Sequence, residues 1–95
     1  MPIGIQISHA GRKGSSYVPW VKPNTALSEP DGRWDTVSAS CIPRDINWPK
    51  PKKLSISKIQ QITHDFEKST EASKNIGFEA LELHMAHGYL LHQFF

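Results

Sequence analysis

His84, His87 and Tyr89 stand within one stretch of six residues, with Gly88 between the last two. Two imidazoles and a phenol can donate hydrogen bonds to a polar atom of a ligand and can move protons. The glycine lets the backbone turn tightly among them. Spacing alone leaves three uses open: a proton-donating site, a metal site, or hydrogen-bonded core histidines. Imidazoles three residues apart can both reach one zinc ion. However, Cys41 is the only cysteine, and the His-Glu-x-x-His order of a helical metalloprotease is absent. A third ligand would have to be Glu82 or His92, neither at a supporting spacing, so a metal-binding domain is the weaker reading.

The cluster follows a short strand expected over residues 79–84. By the period of two, Leu81 and Leu83 face one side while Ala80, Glu82 and His84 face the other. Active sites of α/β proteins are built where strands of this kind end. An earlier strand is expected over residues 3–8, where Ile3, Ile5 and Ile7 alternate with Gly4, Gln6 and Ser8. Gln6 offers one acceptor and two donors on a short planar fork, suited to a pyrimidine-like edge or to a polar partner inside a barrel. Between the strands a helix is expected over residues 55–75. Ser55 or Ser57 can cap it, Ile59, Ile62 and Phe66 recur at helical spacing, and Gly77 suits a left-handed C-cap. Its polar face, with Gln60, His64, Glu67, Lys68 and Glu71, reads as a solvated surface. Strand, crossover helix and strand make one right-handed βαβ unit with parallel strands.

The remaining chain, residues 9–54, reads as one long loop. It opens on a basic turn, His9 to Gly14, that matches neither phosphate-binding glycine spacing. Prolines at 19, 23, 30, 43, 49 and 51 then break every periodicity, leaving at most a short strand near Thr36 to Ala39. A loop this long suggests a lid or a partner surface. Trp20, Trp34 and Trp48 argue that it packs onto something, because indoles are costly to leave in water. Cys41 is expected to be a buried or partly buried thiol. Lys50 to Lys53 is the only basic run and reads as solvated loop; it lacks the interleaved aromatics of a nucleic-acid groove, so no nucleic-acid partner is expected.

The stretch His84-Met85-Ala86-His87-Gly88-Tyr89-Leu90-Leu91-His92-Gln93-Phe94 resembles the signature of the Old Yellow Enzyme family, FMN-dependent NADH:flavin oxidoreductases and ene-reductases, in its His-x-x-His subclass. Ile3 to Lys13 resembles the family's preceding barrel strand, Ser38 to Pro43 its connecting loop, and Ile76-Gly77-Phe78 its approach to the next strand. The resemblance implies a partial TIM (β/α)₈ barrel: residues 85–95 would begin the next loop and helix. It implies FMN as cofactor, contacted by Gln6, and NAD(P)H as reductant. The implied substrate is an α,β-unsaturated carbonyl compound, an enone, whose activated C=C bond is reduced. His84 and His87 are implied to bind and polarise the carbonyl oxygen, and Tyr89 to protonate the α-carbon.

Length bounds what the chain does alone. A complete (β/α)₈ barrel needs ~250 residues, and the chain has 95. We therefore expect an internal fragment of an FMN-binding barrel domain, inactive as the bare chain, stopping where the family continues into a Leu-Ser-Pro segment. Its partners are then the remainder of the barrel or further copies of itself. The alternative is a noncatalytic interaction module or truncated remnant. The composition, 38% hydrophobic with a formal net charge of +2, is that of an ordinary soluble protein. No run of apolar residues is long enough for a membrane span and no leader is visible, so a cytoplasmic location is the default expectation.

Overall fold

The computed structural model describes all residues from Met1 to Phe95. Strand β1 (Gly4–Ile7) pairs in parallel with strand β4 (Ala80–Leu83), in the register Gly4 to Ala80, Ile5 to Leu81, Gln6 to Glu82 and Ile7 to Leu83. Helix α1 (Ile56–Ile76) provides the crossover. Two much shorter strands, β2 (Val37–Ser38) and β3 (Lys52–Lys53), form a second parallel pair inside the long connection, and three 3₁₀ turns complete the chain.

Local chemistry accounts for the helix. The Ser55 hydroxyl accepts the Lys58 N–H at 3.3 Å, satisfying one of the N–H groups that a helix start leaves unpaired. At the other end Gly77 adopts φ 111°, and its N–H reaches the carbonyls of Ser73 and Lys74. A left-handed residue here closes the helix, and glycine adopts it without a Cβ penalty.

The sheet has two unlike faces. Ile5, Ile7 and Leu81 are half-buried on one side, where Ile7 shares a cavity with Ile62 and Phe66 of α1, whereas Gly4, Gln6, Ala80 and Glu82 are exposed on the other. That second face becomes the interior when a parallel sheet of this kind closes into a barrel. The buried apolar side chains are Pro51, Leu54 and Leu90. Pro51 and Leu54 close the long connection and Leu90 lies in the turn after β4, its N–H on the His9 carbonyl, so none of them belongs to the helix or to the β1–β4 pair.

Two expectations are corrected. The second half of the basic run is strand β3, held by Lys52 N–H on the Thr36 carbonyl at 2.8 Å and Leu54 N–H on the Ser38 carbonyl at 2.9 Å. Its lysine side chains remain exposed, so the pairing is a backbone effect that a charge pattern does not reveal. Cys41 is exposed, not buried, because its bend after β2 leads away from the packed residues, as does neighbouring Ile42 at 62% exposure. The indoles divide: Trp20 and Trp34 are exposed, while Trp48 is half-buried with the Arg44 guanidinium 4.6 Å from its ring centre. No helix is long and apolar enough to cross a membrane.

Candidate active site

The side chains of His84, His87 and Tyr89 converge just beyond the C-terminal end of β4. The His84 ring centre lies 5.3 Å from that of His87 and 5.0 Å from that of Tyr89, both edge to face. The strand delivers His84, whose N–H bonds the Ile7 carbonyl at 2.9 Å and so carries the β1 pairing to its last residue. The backbone then reverses through two left-handed residues, His87 at φ 56° and Gly88 at φ 73°. Positive φ is uncommon outside glycine, and histidine is among the side chains that adopt it more readily. Lys13 supplies one restraint: its ammonium donates to the His87 carbonyl at 2.5 Å and lies 5.3 Å from the Tyr89 ring centre. At residue 88 the φ of 73° is itself the reason for glycine, since a Cβ there would meet only the mobile end of Lys13.

Hydrogen bonds set the imidazole tautomers. The Ala86 N–H reaches His84 Nδ1 at 3.2 Å, so in the neutral ring Nδ1 is the acceptor and Nε2 carries the proton. His92 is set in the same way by the Gly88 N–H at 2.8 Å, and His9 by the Gly11 N–H at 3.0 Å. His84 is therefore a donor through Nε2 without needing a positive charge. The partial burial of His9 disfavours its charged form and lowers its pKa below the usual value.

Gln6 stands on the open face of the sheet opposite Glu82, and its Nε2 donates to Glu82 Oε1 at 2.5 Å. A carboxylate only accepts, so this pairing fixes which end of the amide is nitrogen. It leaves Gln6 with its carbonyl oxygen and one further N–H, side by side. That pair can meet a donor and an acceptor lying side by side on a ligand. Gly4 and Ala80, the neighbouring cross-strand pair, add almost no bulk to the same face.

Spacing along the sequence did not point to several residues that build this region. Glu82 orients Gln6, and Lys13 braces the turn. Arg12 donates through Nε and Nη2 to the buried Ser38 hydroxyl at 3.3 and 3.1 Å, and the Ser38 hydroxyl donates to Gln93. The available signal was modest: a basic pair following a glycine, and a glutamine one helical turn beyond Tyr89. No three histidine, cysteine or acidic side chains gather where they could hold a metal ion.

A parallel βαβ unit with two imidazoles and a phenol beyond the strand's C-terminal end places the chain among α/β proteins, whose barrels and open sheets share this unit. Comparison with known proteins narrows the class: residues 2–95 match the NADH:flavin oxidoreductase / NADH oxidase family, and the chain belongs to it. This is a family of FMN-linked TIM-barrel enzymes that use NADH or NADPH, and the two parallel strands with their crossover helix agree with part of such a barrel. The chain is 41% identical over 96 residues to an NADH:flavin oxidoreductase of Gibberella zeae, covering 97% of the chain and 23% of the relative. It is 37% identical over 91 residues to an NADPH dehydrogenase of Listeria monocytogenes, covering 96% and 22%, and 35% identical over 92 residues to one of Bacillus velezensis. The chain thus spans less than a quarter of these relatives' length.

Proposed function

We propose that the chain is the part of an FMN-dependent NAD(P)H oxidoreductase that binds and polarises the substrate, in the His-x-x-His arrangement, and that the bare chain does not turn over. The observation that carries this reading is the His84, His87 and Tyr89 cluster at the end of β4, on the same two-stranded sheet as the Gln6–Glu82 pair. When bound, the flavin supplies hydride to the β-carbon of an enone. The residues present fit one edge of that cofactor: Gln6 offers an acceptor and a donor to the imide edge, held in orientation by Glu82. No other cofactor contact is assigned to this chain.

Hydride addition to an enone builds negative charge on the carbonyl oxygen. His84 Nε2–H and the His87 ring donate hydrogen bonds there, which lowers the barrier because donors placed in advance need no reorganisation. The Tyr89 hydroxyl gives its proton to the α-carbon. His84 can act while neutral because its Nδ1 is already engaged by the Ala86 N–H.

The test grafts residues 2–95 in place of the matched segment of the Listeria monocytogenes relative and follows the flavin by visible absorbance. The graft should bind FMN, be reduced by NADPH and be reoxidised by a simple enone, while the bare chain should give no saturable shift of the flavin bands. Tyr89→Phe in the graft should slow enone-dependent reoxidation by roughly 10²-fold or more, in the range that general acid catalysis contributes. A folded, FMN-loaded graft that no enone reoxidises would overturn the proposal.

A further inference from the structure

Gln93 belongs to none of the groups placed on the substrate or the cofactor, yet its amide is used completely. Its Oε1 accepts the Arg12 N–H at 3.2 Å and the Ser38 hydroxyl at 2.8 Å. Its Nε2 donates to the Gly88 carbonyl at 2.7 Å and to the Ala10 carbonyl at 3.3 Å. Four bonds from one planar amide use both of its N–H donors and both lone pairs of its oxygen. They join three separate segments: the turn after β1, strand β2 and the turn that carries His87 and Tyr89.

A second observation is independent of these bonds. Gly11 stands at φ 58°, and a Cβ there would lie 2.2 Å from Gln93 Oε1. The turn after β1 is thus shaped around the amide, sterically as well as by hydrogen bonding. Ser38 is fully buried and carries the arrangement onward to the Arg12 guanidinium. The backbone adds a direct path to the phenol, since the Gln93 N–H bonds the Tyr89 carbonyl at 3.0 Å.

We infer that Gln93 is a positioning residue, which through the Gly88 carbonyl fixes the turn bearing His87 and Tyr89 against the β1 and β2 loops. The inference rests on the proposed function only for its consequence: the set of the phenol and the two imidazoles about the substrate. The clamp itself exists or fails without any flavin.

The test uses residues 2–95 grafted into the Listeria monocytogenes relative as above and isotopically labelled, comparing the unsubstituted graft, as wild type, with Gln93→Met, which keeps the length and removes every polar contact of the side chain, and Gln93→Glu, which keeps the acceptor and removes both donors. Amide exchange at Arg12 reads the acceptor side; nuclear Overhauser contacts between the His84 and Tyr89 rings read the turn. In Gln93→Met, Arg12 exchange should rise roughly tenfold, as befits loss of one buried hydrogen bond, and the ring contacts should fade while β1–β4 amides stay protected. In Gln93→Glu, Arg12 should remain protected while the ring contacts fade. Either unchanged ring contacts in both variants, or an Arg12 amide already unprotected in wild type, overturns the clamp. Loss of β1–β4 protection in both variants does so too, because it assigns Gln93 a general structural role. Failure of the grafted enzyme to use an enone, with the ring contacts intact, counts against the proposed function and leaves the clamp standing.

Discussion

Isolation of this chain from the rest of a barrel should leave it self-associating, and the structure sets the scale. A compact monomer of 10.7 kDa is expected to expose about 5,500 Å². The chain exposes 7011 Å², an excess of roughly 1,500 Å². Its radius of gyration is 15.0 Å, against about 12 Å for a globular domain of this length. The excess is nearly twice the ~800 Å² that one partner contributes to a standard interface. Much of it is apolar: Ile3, Val21, Ile46 and Phe95 are all more than half exposed, and the outer edges of β1 and β4 are unpaired. Open strand edges and apolar patches of this extent recruit other chains. Light scattering coupled to size exclusion, run from low to high micromolar concentration, should show a mass that rises with concentration, with binding of an apolar dye. A monodisperse monomer with a single cooperative melt and no dye binding would refute the reasoning, since it would mean that this surface is satisfied within the chain.

Two further outcomes concern parts of the fold that the site depends on. His9 has a lowered folded pKa, so between that value and the ordinary 6.5 the unfolded chain binds more protons. Its contribution to stability should be complete above pH 6.5 and decline as the pH falls through the folded pKa; urea melts at several pH values check this, and His9→Asn should flatten the slope. Ser55→Ala should cost about 1 kcal/mol by removing the bond to the Lys58 N–H, read as a lower helical melting midpoint, while Ser55→Asp should restore most of it.

What could be read in advance was what short-range chemistry decides. The helix follows from apolar residues at Ile59, Ile62 and Phe66 together with Ser55 before it and Gly77 after it, all of which act within one turn of the chain. The pairing of β1 with β4 follows from two alternating runs joined by a helix. Strand β3 was not legible because Lys52 and Lys53 carry no alternation; their backbone pairs with Val37 and Ser38, and the buried side chains are those of Pro51 and Leu54 on either side. The polar clamp was hidden for a different reason. Its bonds join Arg12 and Ala10 to Gln93 across more than eighty residues, and a hydrogen bond, unlike an apolar face, leaves no periodic trace in sequence.

The two halves of the proposed site differ in what holds them, and this bears on which of them is fully arranged within the chain itself. The orientation of His84 comes from Ala86, two residues on; that of the following turn comes from His92, Gln93 and Lys13. Every one of these restraints lies within the chain, so the groups proposed as donors to a carbonyl oxygen are arranged before any further strand is added. Gln6 and Glu82 have each other, but the face that they share with Gly4 and Ala80 is open to solvent. In water the pair gains little, since an exposed hydrogen bond only replaces bonds that both side chains would make to water. Only closure of a barrel over that face would lower the dielectric and make the orientation of the amide count. On this reading the polarising groups are pre-arranged by local turns, whereas the cofactor edge gains its strength from what surrounds it.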